Sequence, residues 1–107
     1  MHKLTQREIS DTVRTRLKIE NIVTQYPRWQ TSYYRTSNGA EIDLILTKGI
    51  RRIAIEIKSS ISPKVPKSYW KSIDTIKPDR TVVIAPVEGE YPIVEQVMVM
   101  PLHAFIE

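Results

Sequence analysis

Asp43, Glu56 and Lys58 are the residues whose types and spacing best suit chemistry in this chain of 107 residues. They lie in two apolar runs with period-2 alternation that flank a short Lys/Gly/Arg turn, a pattern that predicts a β-hairpin from Glu41 to Lys58. In the first run Ile42, Leu44 and Leu46 are expected on one face and Glu41, Asp43 and Ile45 on the other. In the second, Ile53, Ile55 and Ile57 share a face opposite Ala54, Glu56 and Lys58. An unpaired charge inside such a strand costs about a few kcal/mol of desolvation.

A two-residue loop at Gly49-Ile50 sets Asp43 across from Glu56 and Glu41 across from Lys58. Cross-strand partners have Cβ atoms about 4.5–5.5 Å apart. Two carboxylates that close repel unless a proton or a cation lies between them. A hard divalent cation with oxygen ligands, Mg²⁺ or Mn²⁺, answers that repulsion, with the Lys58 ammonium assisting. An aspartate followed about a dozen residues later by Glu-x-Lys is the minimal constellation of a metal-dependent phosphodiesterase. The competing reading is a solvated sheet face with cross-strand ion pairs, each worth little.

The words Tyr34-Arg35-Thr36-Ser37-Asn38-Gly39-Ala40-Glu41-Ile42-Asp43 and Ile53-Ala54-Ile55-Glu56-Ile57-Lys58-Ser59 resemble the PD-(D/E)XK nuclease superfamily. More closely, with Tyr91-Pro92-Ile93 and Val99-Met100-Pro101-Leu102, they look like the small nuclease-like domain of unknown function at the C-terminus of many AAA-type ATPases of bacteria and archaea. The resemblance covers roughly Ile19 to the end of the chain. It implies a restriction-endonuclease-like fold, a Mg²⁺ or Mn²⁺ cofactor, catalytic residues Asp43, Glu56 and Lys58, and metal ligands Asp43 and Glu56. Ile42 stands where the superfamily usually has proline. A first-helix glutamate usually completes the metal site, and that position falls at Thr15. Glu20, five residues on, lies about 140° away around a helix. Glu20 and Glu41 are therefore carried as accessory metal ligands.

The length fits one domain over residues 1–107, and 41% hydrophobic residues suffice for a core. No apolar run approaches the roughly 20 residues of a membrane span, and Met1-His2-Lys3-Leu4 leads into a polar helix instead of a signal-peptide h-region. With no cysteine, disulfides and thiolate zinc sites are excluded, and a cytoplasmic location is expected. No P-loop sequence is present, so the chain is not itself a P-loop ATPase. Net charge is +4, divided between +8 over residues 1–80 and −4 over residues 81–107. A basic body suits a polyanionic partner, with nucleic acid, DNA first, as the expected one.

The elements that must position these residues can be taken in order. Thr5-x-x-Glu8 is a capping box opening a helix to about Gln25. Its apolar arc comprises Ile9, Val13, Leu17, Ile19, Ile22, Val23 and Tyr26, with Glu20 projecting inside it. Arg28 to Thr36 reads as the first strand, and Ser37-Asn38-Gly39 as a turn with Gly39 at positive φ. Its aromatics, Trp29, Tyr33 and Tyr34, interleave with Arg28 and Arg35 and read first as half core, then as a base-stacking surface on which Arg35 touches phosphate. Ser59 to Pro66 is a polar loop whose Lys64 could reach a phosphate. Lys67 to Ile76 is a short helix with Tyr69, Trp70, Ile73 and Ile76 inward and Lys67 and Lys71 available to nucleic acid. Thr81 to Pro86 is a buried strand reached by a right-handed crossover, Val87 to Ile93 a loop, Val97 to Met100 a last strand, and Pro101 to Ile106 a helical turn.

The expected architecture is thus α/β with a mixed central sheet: helix, three-stranded antiparallel meander, helix, strand, strand. The expected function is a metal-dependent nucleic-acid phosphodiesterase. The alternative is a non-catalytic module on the same scaffold that binds nucleic acid or docks an AAA-type ATPase.

Overall fold

The computed structural model describes the backbone of residues 6–37, 41–94 and 96–106, with side chains from residue 13 onward. The elements run α1 (Gln6–Gln25), β1 (Gln30–Arg35), β2 (Glu41–Lys48), β3 (Arg51–Ile57), α2 (Lys67–Ile76), β4 (Arg80–Ile84), β5 (Tyr91–Val94), β6 (Val97–Met100) and α3 (Leu102–Ile106). The six strands form one mixed sheet in the order β1-β2-β3-β4-β6-β5. The Thr5 cap and the Gly39 turn fall outside the described residues, as do the side chains of Glu8 and Ile9.

The hairpin forms in the expected register. Lys48 pairs with Arg51 and Leu44 with Ile55, with Gly49 at φ 62 in the turn, a conformation that glycine adopts without a Cβ penalty. From β3 the chain crosses through α2 to β4, which lies parallel to it, Ile53 beside Arg80 and Ile57 beside Ile84. Asp79 fixes the entry to β4: its Oδ2 accepts from the Arg52 amide at 2.7 Å, and its own amide donates to the Arg52 carbonyl at 2.9 Å. β4 runs parallel to β6 as well, so β3 and β4 are covered on both sides by strands and on both faces by helices. That is why they read as nearly unbroken Ile/Val runs.

The core has two layers. On one face Leu44, Leu46, Ile53, Ile55, Ile57, Val82 and Ile84 pack under α1 and α3 through Ile22 and Phe105. On the other, Ile42, Ile45 and Ala54 pack against Tyr69 of α2, beside Val83, Ala85, Val97 and Val99.

Three expectations are corrected. Ile42 does not share a face with Leu44; it joins Ile45 beneath α2. The cause is a bulge: Ser32 pairs with Ile45 but Tyr34 with Ile42, so Tyr33 alone faces both Asp43 and Leu44. Tyr91–Val94 is not loop but an edge strand antiparallel to β6. Pro92 weakens a strand signal, yet an edge strand tolerates it because its outer side needs no donor. Finally, among the described residues the apolar arc of α1 packs from Ile19 onward; Val13 and Leu17 are exposed, as is Glu20.

Candidate functional site

The bulge decides where Asp43 points. An extra residue in β2 breaks the ladder beside β3, and the Asp43 side chain fills the gap: its Oδ2 accepts a 2.8 Å hydrogen bond from the Ile57 amide. A backbone donor of β3 is thereby satisfied by a carboxylate in place of a carbonyl. The same bond brings the aspartate alongside Glu56, the neighbour of Ile57 in sequence.

Glu56 is the least ordinary side chain of the molecule. It is only 5% exposed, and its Oε1 has no hydrogen-bond partner among the described residues. Burial pushes its carboxyl up to about 9, with further upward contributions from the hydrogen bond to Asp43 and from the charge of Asp43. The Lys58 ammonium and the Asp43 amide pull it the other way. Glu56 is therefore protonated at neutral pH in the metal-free protein. Lys58 sits at the end of β3, half-buried, its amide bonded to the Ile84 carbonyl at 2.8 Å. Asp43, Glu56 and Lys58 thus converge.

Tyr69 belongs to this cluster, although its place on the inward face of α2 predicts only a core residue. Its ring is buried, and its hydroxyl has no partner among the described residues. Burial, then the charges of Glu56 and Asp43, push its pKa up. The clue in sequence was a polar-tipped aromatic on the inward face of α2, a feature shared with ordinary core tyrosines. Tyr69→Phe is expected to raise the stability of the metal-free protein by about 1 kcal/mol, because the hydroxyl removed lacks a partner. Denaturant midpoints of the two proteins in chelator measure it.

The other expected site residues scatter. Glu41 pairs with Arg35, Oε2 to Nε 3.3 Å, on a well-exposed surface, and the Arg35 guanidinium lies 5.5 Å over the Tyr33 ring. Glu20 is exposed on α1. Lys64, Lys67 and Lys71 are exposed on the loop and helix that cover the α2 face, whereas Arg35 borders a groove of about 640 Å³ between α1 and the β1–β2 pair. The expected basic surface is therefore split across the sheet. Asp43 lines the groove and Glu56 does not, and from α1 it receives Thr15 and Arg16.

The donors can be weighed against a divalent cation. Among the described residues no group of three His, Cys, Asp or Glu side chains could hold a metal ion. Two adjacent carboxylates, one with an unpartnered buried oxygen, fit a hydrated hard cation, since Mg²⁺ is commonly held by one or two carboxylates, waters and substrate phosphate. They do not form a closed cage.

Fold and site together define a mixed-sheet α/β domain with a paired-acid centre at the junction of an antiparallel hairpin and a parallel crossover. The chain belongs to the family described as Domain of unknown function (DUF4143), whose model matches residues 18–105. No curated protein and no solved structure matches it. No helix among the described residues is long and apolar enough to cross a membrane.

Proposed function

We propose that this domain is a metal-dependent nucleic-acid phosphodiesterase of PD-(D/E)XK type, built on a restriction-endonuclease-like version of the mixed sheet and working in the cytoplasm. The observation that carries the reading is the bulge-directed approach of Asp43 to the Ile57 amide, 14 residues on, and so to Glu56, with Lys58 beside them. Burial first, and the neighbouring Asp43 second, oppose ionisation of Glu56, and a bridging cation would offset that opposition.

Asp43 and Glu56 would hold Mg²⁺ or Mn²⁺, which when bound supplies Lewis-acid polarisation and a more acidic water. Asp43 lines the groove and so would meet arriving substrate, whereas Glu56 is buried and does not line it. Lys58 positions the attacking water or offsets charge developing on the phosphoryl oxygens. Glu41 and Glu20 have no supporting contact to the pair.

The test is incubation with single- and double-stranded DNA and RNA in Mn²⁺ beside Lys58→Ala. Cleavage by the wild type, reduced about a hundredfold or more in the variant, is the expected result. A second reading is favoured by one observation: among the described residues α1 presents Thr15, Arg16, Ile19 and Val23 to the groove, and no acid. On that reading the domain is a non-catalytic module that binds nucleic acid or docks an AAA-type ATPase. Binding that survives both chelation and Asp43→Ala, with no cleavage, would favour the module.

A further inference from the structure

The groove between α1 and the β1–β2 pair has a lining unlike the rest of the surface. At its outer lip Tyr33 is 68% exposed, although it is a large aromatic on a strand whose neighbour Tyr34 is half-buried. Trp29, the other aromatic at this end of the sheet, is engaged elsewhere: it meets the Tyr26 ring edge-on at 5.9 Å and carries Arg51 over its face. Tyr33 alone of these rings is left largely open. Arg35 lies over it at 5.5 Å, and Arg16 reaches the groove from the helix opposite. Thr31, Ser32 and Asp43 also line the groove.

We infer that this groove is a track for single-stranded nucleic acid, with Tyr33 stacking on a base and Arg16 and Arg35 gripping the backbone phosphates, the strand leading to Asp43. The inference rests on the phosphodiesterase reading for its direction, but not for its contacts. An aromatic face can accept a base only when that base is free of its own stack, so an exposed tyrosine beside arginines suits an unpaired strand. The groove, about 640 Å³, has room for a short unpaired stretch. Arg35 is held by the Tyr33 ring beneath it and by its exposed contact with Glu41. Such a pair is weak in water and yields readily to a phosphate.

Binding is measured by fluorescence anisotropy with labelled single-stranded DNA, single-stranded RNA and duplex DNA, in chelator so that no strand is cut. The expected order is single strand over duplex, with the DNA and RNA arms deciding which sugar is preferred. Tyr33→Ala should weaken single-strand binding about tenfold, Tyr33→Trp should restore it, and Arg16→Ala should weaken it and flatten the salt dependence. Tyr33 and Arg16 are exposed, so these variants keep the fold. The double variant Lys67→Ala/Lys71→Ala, on the opposite face, should bind nearly as the wild type does. Duplex preferred over single strand, no loss in Tyr33→Ala, or a greater loss from the lysine pair would overturn the inference. Single-strand binding without Lys58-dependent cleavage would leave the track standing and sink the enzyme.

Discussion

Glu56→Gln is expected to raise the stability of the metal-free protein at pH 8 by about 2–4 kcal/mol. The glutamate carboxyl rises from 4.5 to about 9 on folding, chiefly through burial. A carboxyl raised in this way binds its proton more tightly in the folded state. Its favourable contribution is whole below pH 4.5 and is lost as pH climbs toward 9, at up to about 1.4 kcal/mol per unit. Unfolding curves of the wild type between pH 5 and 9 in chelator should therefore show stability falling as pH rises. The glutamine keeps the shape, cannot ionise, and removes this slope. Parallel curves for the two proteins would mean that Glu56 ionises freely and that the site is not as dry as its 5% exposure indicates.

Asp43→Asn separates the structural from the chemical role of the aspartate. The asparagine oxygen still accepts from the Ile57 amide, so the bulge survives. Asp43→Ala leaves that donor unpaired and should cost about 1–3 kcal/mol. Both lose the charge that faces the groove, and Mn²⁺-dependent cleavage should fall about a hundredfold or more in each. Asparagine should thus match wild type in stability while matching alanine in activity. If asparagine retained activity, the carboxylate would not be a cation ligand.

How much of this was legible in the sequence depends on the range of the forces involved. The β2–β3 register follows from period-2 alternation and a two-residue turn, both local, and it held from Lys48–Arg51 to Leu44–Ile55. The α2 boundaries followed from a clear inward face closed by Pro78-Asp79, and the parallel crossover followed from strand, helix, strand. The bulge was not legible. It arises because β1 pairs with β2 out of step at Tyr33, a contact between segments that no single-strand pattern encodes. Yet the bulge turns Asp43 toward the Ile57 amide, so the local reading named the right acid and mistook its surroundings. β5 was hidden by Pro92 and by its four-residue length. α1 differs in phase from its sequence pattern: an arc drawn through Val13 and Leu17 places Glu20 inward, whereas among the described residues packing begins at Ile19 and brings Thr15 and Arg16 to the groove. Lys64, Lys67 and Lys71 look continuous with Arg35 as charge along the chain. The sheet places α2 on the face away from that groove, and the continuity is lost.

If Asp43 and Glu56 share a divalent cation, calorimetric titration of Mn²⁺ at pH 8, in buffers of different ionisation enthalpy, should show saturable binding of one ion and release of close to one proton as Glu56 gives up its hydrogen. Asp43→Asn and Glu56→Gln should each abolish both signals. Binding with no proton released, or an undiminished signal in either variant, would mean that the two carboxylates do not hold a cation together.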